Sequence, residues 1–307
     1  MTDPVAVVRR FNRSYTQRIG VLEDSFLGLG MPLGPVRLLY EIGAATAAAQ
    51  APLTTQTVRE RLGLDSGYLS RLLRRLEQDG LIDVIPDPGD RRRRQVTLTE
   101  AGRERWTELE RRSDHQARLI VGPLTERQRE RLARALSEAD LLVRAATVSF
   151  EPVDSASPAA RDVVDRYFAE IGRRFGFDPS GETERDTRLL VPPTGVFVVA
   201  VSDGEPVACG GLHTIAPCVG ELKRMWVHDD WRGAGLGSRL LRHLEDQARG
   251  LGHRTVRLDT NAALAEAISM YQRAGYRAVD RYNDNPWATH FFEKHLSFEK
   301  HRSTRNS

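Results

Sequence analysis

Asp65-Ser-Gly-Tyr-Leu-Ser-Arg-Leu-Leu-Arg-Arg-Leu-Glu-Gln-Asp-Gly80 decides the fold of the first half of the chain. Asp65 is a good N-cap and Gly80 a good stop, so the stretch predicts a helix from Ser66 to Asp79. Leu69, Leu72, Leu73 and Leu76 recur at helical spacing on one face. Gly67, Arg71, Arg74, Arg75 and Gln78 fall on the other. One face packs and the other is basic, which is the geometry of a helix laid in a major groove with its first residues at base edges. That places Ser66, Gly67, Tyr68, Ser70, Arg71, Arg74 and Arg75 toward DNA.

Upstream, the run from Thr54 to Leu62 reads as a short helix ended by Gly63. Downstream, Leu81–Ile85 and Gln95–Thr99 read as two strands joined by the turn-rich tip Pro86-Asp-Pro-Gly-Asp-Arg-Arg-Arg-Arg94. Arginines on a thin hairpin suit a narrow minor groove, whose negative potential attracts guanidinium, so Arg91, Arg92 and Arg93 join the DNA-contacting set. A charge run also reads as a solvated face, or as a docking surface that brings the chain to a macromolecular substrate. Long helical patterns flank this unit over Val5–Leu29 and Thr99–Val148, more than one small DNA reader needs. Their apolar positions, Trp106, Leu109, Leu119, Ile120, Leu132, Leu136, Leu141 and Leu142 among them, predict pairing with a second copy.

In its order of helix, turn, basic helix and arginine-tipped hairpin, the stretch resembles the MarR family of transcriptional regulators. The carriers are Leu69 to Ile82, Asp90-Arg-Arg92 and Val96-Thr-Leu-Thr-Glu-Ala-Gly102. The resemblance covers about residues 5–146. It implies a winged-helix homodimer on a pseudo-palindromic double-stranded DNA site, with helices from both termini forming the dimer interface.

The second half alternates strands and helices. Gly220–Val227 reads as a strand, His228–Trp231 as a turn, Ser238–Arg249 as a helix with Leu240, Leu241, Leu244, Ala248 and Leu251 on its buried stripe, and Thr255–Thr260 as another strand. Between the first strand and its helix lies Arg232-Gly-Ala-Gly-Leu-Gly237. A glycine-rich turn into a helix leaves backbone N–H groups free for phosphate oxygens, with no Cβ to keep the phosphate away. The spacing is GxGxG rather than GxGxxG, and some 70 residues precede it, so a dinucleotide-binding first strand does not fit.

Arg232, Gly235 and Gly237, the strand Glu221–Val227 and the later run Ala267-Ile-Ser-Met-Tyr-Gln-Arg-Ala-Gly-Tyr276 resemble the GCN5-related N-acetyltransferase (GNAT) superfamily over about residues 150–298. The resemblance implies acetyl transfer from acetyl-CoA to a primary amine. Backbone groups of Arg232, Gly233, Ala234, Gly235, Leu236, Gly237 and Ser238 would cradle the pyrophosphate. Those of Met225, Trp226 and Val227 would hold the thioester and pantetheine arm. Tyr271 takes the position of the acid that protonates the leaving thiolate; it also shares a helix face with Leu264 and Ile268, as a core aromatic would. Glu221 stands where some members carry a base, and reads equally as a strand glutamate paired with Lys223 or Arg224. The asparagine that many members place seven residues before the tyrosine is Leu264 here, and Asn261 is the candidate substitute. Arg166, Tyr167 and Phe168, with Tyr282, Asn283 and Asn285, mix hydrogen-bonding groups and aromatic walls and are the candidate acceptor-site residues.

Composition agrees with two domains. Of 307 residues 40% are hydrophobic, enough for a core in each half. Residues 1–147 hold 24 Arg and no Lys against 20 acids, a net +4, and the rest carries 21 Lys and Arg against 22 acids, a net −1. The basic excess thus falls on the half with the DNA-binding pattern. Cys209 and Cys218 fit no zinc or CxxC spacing, and the histidines form no HExxH-like cluster, so no metal is expected. No apolar run of spanning length and no signal peptide is evident, which predicts a cytoplasmic chain with no membrane partner. A boundary is expected over Ser149–Ala159, where Pro152 and Pro158 break the helical pattern. The expected architecture is a mainly α winged helix-turn-helix over 1–148, an α+β acetyltransferase with a mixed, mostly antiparallel sheet over 149–298, and a loose polar tail over 299–307. The expected function is a bifunctional regulator that acetylates a small-molecule amine. The alternative is a regulator that senses acetyl-CoA or an amine through a non-catalytic domain.

Overall fold

The computed structural model describes residues 3–21, 23–47, 53–176 and 187–297. The expected tail over 299–307 lies outside them. The chain divides after Arg134 into two units.

In the first unit the leucine stripe does what its spacing demands. α1 is Pro4–Arg18, α2 Leu33–Ala47, α3 Thr55–Leu62, α4 Ser66–Gln78, α5 Glu100–Val121 and α6 Glu126–Thr147; β1 is Ile82–Pro86 and β2 Arg94–Leu98. The Asp65 carboxylate accepts from the Tyr68 N–H at 2.8 Å and starts α4. Leu69, Leu72, Leu73 and Leu76 are buried with Leu38, Leu39 and Ile42 of α2, and Ile82 and Val96 of the hairpin join them. Each such side chain contributes roughly 1.5–3 kcal/mol on burial. Gly63, at φ +60°, closes α3 in the left-handed region that a side chain would strain.

Two expected helices are shorter than their patterns. The run Val5–Leu29 is helical only to Arg18, because Gly20 takes a left-handed φ of 69° and only the 3-10 turn Phe26–Gly28 follows. Thr99–Val148 splits into α5 and α6 at Gly122-Pro-Leu-Thr125, where Pro123 lacks the N–H that a continuing helix needs. No described residue of α1 is buried, and Val5, Val8, Phe11 and Tyr15 stand exposed on it.

The second unit begins within α6. β3 is Ser149–Val153, α7 Pro158–Phe175, β4 Gly195–Ser202, β5 Glu205–Ala216, β6 Val219–Val227, α8 Leu236–Gly250, β7 Thr255–Thr260, α9 Ala265–Arg273, β8 Arg277–Ala278 and β9 His290–His295. Among the described residues these strands make one seven-stranded sheet in the order β3-β4-β5-β6-β7-β9-β8. Only β6 and β7 run parallel. The stretch read as a boundary, Ser149–Ala159, therefore holds a strand and the start of a helix. Pro152 is tolerated because β3 is an edge strand.

Alternation along the strands feeds two cores. On one face Val198, Leu212, Leu222, Val256 and Phe292 pack with Leu240, Leu241, Leu244 and Ala248 of α8. On the other, Phe197, Val199, Cys209 and Trp226 pack with Val163, Val164 and Phe168 of α7. Burial pushes the Cys209 thiol up to about 12, so it serves as a core side chain.

The parallel pair sets the place of the site. β6 pairs with β7 only over Val219–Leu222 and Thr255–Leu258. β6 continues unpaired on that side to Val227, and a cleft opens between the two strand ends.

Candidate active site and DNA-binding surface

The cleft is a cavity of about 530 Å³. One wall is Met225–Val227 at the free end of β6; the other is Leu264 with Ala267, Met270 and Tyr271 of α9. Arg232, Gly233, Gly235, Leu236, Gly237 and Ser238 form its floor. Gly233 and Gly235 take φ values of 86° and 74°, and nothing lies within 4 Å of a Cβ built on either. The left-handed conformations, not crowding, call for glycine at both positions, and the open space above them leaves the backbone accessible to a ligand. Gly235 is the N-cap of α8 and supplies no side-chain cap, so the first N–H groups of the helix stay available to an anion. A polar, donor-rich floor and an apolar wall of Met225, Leu264 and Met270 fit a diphosphate continued by a long thioester arm. Ala234 packs on the α8 core instead of lining the cavity.

Tyr271 is buried at this cavity, and its hydroxyl lies 3.8 Å from the Met225 Sδ. Burial and the Asp259 charge push its phenol up, so it stays neutral and able to donate a proton. Asn261 lies outside the cavity: its side chain donates to the Trp287 carbonyl at 2.7 Å and accepts from the Ala263 N–H. Both ends of the amide are thus engaged within the chain.

A polar cluster is centred on the facing ends of β5, β6 and β7. Glu221 is buried and meets His213 Nε2 at 2.9 Å, Lys223 Nζ at 3.1 Å and the Asn283 amide at 2.9 Å. Burial opposes its charge, but the bonds from His213 and Asn283 and the Lys223 ammonium hold its pKa down to about 2. Asp259 accepts from Lys223 at 2.7 Å and from Asn283 and Asn285 at 3.2 and 2.5 Å. Tyr282 is raised by burial and by the Glu221 and Asp259 charges. Tyr167 lines the cavity, and burial and the Asp259 charge raise it too. Phe168 is a core residue under the Arg224 guanidinium at 5.3 Å. Arg166 is exposed and paired with Asp162 at 2.9 Å, away from the cavity lining. The Glu221–Lys223 pairing read from sequence is present; His213 and Asp259 were not singled out, because alternation on half-buried strands marks their face but not their purpose.

The depressed Glu221 pKa gives a signed prediction. Its contribution to stability is complete above about 4.5 and is lost as pH falls toward about 2. Urea unfolding of Glu221→Gln is expected to show a flatter pH dependence across that window than the parent; equal slopes would deny the coupling.

In the first unit, Ser66, Gly67, Tyr68, Arg71, Arg74 and Arg75 stand exposed along α4, and Ser70 is half-buried. An open groove of about 520 Å³ runs beside them, lined by Gln56 and Arg59 of α3, by Ser66, Ser70 and Arg74, and by Arg94 of β2. Arg59 and Arg94 belong to this basic face although the helical wheel of α4 alone could not include them. At the hairpin tip Asp87 accepts from the Gly89 and Asp90 N–H groups and from Gln95. Arg91, Arg92 and Arg93 are exposed there, with Arg93 within 3.6 Å of Asp90.

Residues 161–276 match the family model described as acetyltransferase (GNAT) family, and residues 29–93 match the MarR family. An IAA acetyltransferase of Azospirillum brasilense is 33% identical over 144 residues, which are 44% of this chain and 92% of that protein. The chain belongs to the GNAT acetyltransferase family. It carries a MarR family domain in the same polypeptide. The transcriptional activatory protein BadR of Rhodopseudomonas palustris is 49% identical over 41 residues, 13% of this chain and 23% of that one. A solved GNAT-family acetyltransferase from Staphylococcus aureus Mu50 aligns over 49% of this chain and 100% of its own, at 16% identity and a TM-score of 0.45. The GNAT half is an acetyl-CoA-dependent N-acetyltransferase joined to a regulator domain. Among the described residues no helix is long and apolar enough to cross a membrane, and no group of three or more His, Cys, Asp or Glu is placed to hold a metal.

Proposed function

We propose that the chain is a dimeric DNA-binding regulator whose GNAT half acetylates a small primary amine. The observation that carries the catalytic half is the neutral Tyr271 phenol in the cavity wall opposite Met225, above the open turn at Gly233–Gly237. Bound acetyl-CoA supplies an activated acetyl group. The turn and the first N–H groups of α8 hold its diphosphate, and the backbone of Met225–Val227 holds the arm. Tyr271 donates its proton to the departing sulfur. The amine approaches from the Tyr282–Asn285 side, where Glu221 and Asp259 outnumber the Lys223 ammonium and attract a cation. A carboxylate with a pKa near 2 is too weak to deprotonate an alkylammonium directly, since the gap to about 10 costs on the order of 11 kcal/mol. Glu221 therefore orients the amine, which reacts as its neutral free base, and the proton that its nitrogen sheds after attack replaces, through solvent, the one Tyr271 gives to sulfur.

In the regulator half, α4 enters the major groove and the arginine tip the minor groove. The exposed apolar side chains of α1 fit burial against a second copy. The test of the catalytic half is amine-dependent release of free thiol from acetyl-CoA by the purified chain. Thiol release no greater with any amine of a panel than without one contradicts it.

A sensing role is favoured by one observation. Arg239, in the first turn of α8, donates to the Ala145 and Val148 carbonyls at the end of α6. Arg144 lies 4.7 Å over the ring of Trp231, which lines the cofactor cavity. α6 itself begins at Glu126, before the division between the units. Saturating acetyl-CoA is expected to shift the operator Kd by about fivefold or more, the range of ordinary coupling. An unchanged Kd removes the sensing role and leaves the enzyme untouched.

A further inference from the structure

Four charged side chains cross the mouth of the cofactor cleft in alternating sign. Arg232 meets Glu170 at 2.5 Å, Glu170 meets Arg174 at 3.3 Å, and Arg174 meets Glu266 at 2.5 Å. All four line the same cavity. They do not belong to one element. Arg232 follows β6 and starts the glycine turn; Glu266 opens α9. Glu170 and Arg174 are one turn apart on α7, on one helix face.

Each member of the α7 pair is anchored to a different wall. Glu170 also accepts the Trp226 indole N–H at 2.8 Å, which ties it to the end of β6. Arg174 also donates to the Ala263 carbonyl at 2.9 Å, which ties it to the segment between β7 and α9. These are the two walls that no ladder joins, because pairing between β6 and β7 ends at Leu222 and Leu258. Beyond the Lys223–Asp259 ion pair, which lies just past the last ladder pair, no strand pairing fixes their spacing. Glu170 is buried and well supplied with donors, so its carboxylate is a fixed point; Glu266 is half-exposed and is the free end of the chain.

We propose that Glu170 and Arg174 are positioning residues that clasp the open ends of β6 and β7–α9 at one separation and thereby set the affinity for acetyl-CoA. The pair touches no reacting atom in this account. Its effect is preorganisation: a cleft held at the width of the thioester arm need not be ordered when the arm enters. The inference rests on the cavity being the acetyl-CoA site.

The test is a double-mutant cycle on the full chain with Arg174→Met, Glu266→Gln and the pair together. The readouts are the acetyl-CoA Kd by calorimetry and kcat at saturating acetyl-CoA. Each single change is expected to weaken acetyl-CoA by about threefold to tenfold, the span of a partly exposed ion pair with a hydrogen-bonded partner. The double variant is expected to be no weaker than Arg174→Met alone, with kcat within about twofold of the parent, because the two side chains act as one link. Losses that multiply, or an unchanged Kd in both singles, overturn the clasp. Glu266→Gln alters an exposed end and keeps the test valid if Arg174→Met fails to fold; Arg174→Lys then serves as the second variant, expected to recover part of the affinity. Failure of the parent to bind acetyl-CoA would instead refute the cavity assignment, which separates the two claims.

Discussion

Tyr271→Phe is expected to lower kcat for acetyl transfer by about 10²–10⁴-fold while the Kd for acetyl-CoA stays within about threefold. The change removes one oxygen and little else. The ring keeps its neighbours, Tyr276 at 5.9 Å and Phe292 at 6.2 Å between centroids, so the wall of the cleft keeps its shape. What is lost is a donor aimed at the cavity beside Met225. Burial and the Asp259 charge keep that donor protonated well above neutral pH, so its titration should not shape the rate profile between pH 6 and about 9. Equal kcat for parent and variant would reduce Tyr271 to a core aromatic.

Arg71→Ala should weaken operator binding by about tenfold to 100-fold and relax preference at one base pair, as expected for a side chain that reads a base edge. Arg71 is exposed on α4, with its guanidinium 5.7 Å from the Tyr68 ring centroid, and supports none of the buried leucines. Arg91→Ala should behave differently. In the minor groove, where the proposal places the wing tip, it would read no base edge, so affinity is expected to fall nearly evenly across sites and the salt slope to drop by about one. Titrations on the selected site and on a scrambled duplex, at several salt concentrations, separate the two. Identical losses on both duplexes for Arg71→Ala would make the basic face a general polyanion surface.

How far the sequence could be read depends on whether a feature is local. The helix-turn-helix was legible because its signals are local: Asp65 caps its own helix, Gly63 and Gly80 stop theirs, and the leucines repeat at one period. The glycine turn was legible for the same reason, since Gly233 and Gly235 are required by their own φ values. Tertiary partners were not legible. Ser149–Val153 reads as a break because Pro152 interrupts it, and becomes a strand only because β4 offers an edge. Asn261 looks free to serve pantetheine until the chain brings Trp287 against it. Glu170 and Arg174 look like an ordinary solvated i,i+4 pair; only Trp226, Arg232 and Glu266, 56 to 96 residues after Glu170, give them a site. The same holds for Asp259, whose partners Lys223 and Asn285 arrive from other elements.

Acetyl transfer by the full chain, captured on immobilised duplex DNA that the chain itself has selected from a random pool, decides whether both activities reside in one molecule. Protein retained on the selected duplex at physiological salt is expected to release thiol from acetyl-CoA when amine is added, and a scrambled duplex to retain neither protein nor activity. Equal retention on both duplexes, or protein held on the selected duplex that releases no thiol with any amine, would contradict a single chain that both reads DNA and acetylates an amine.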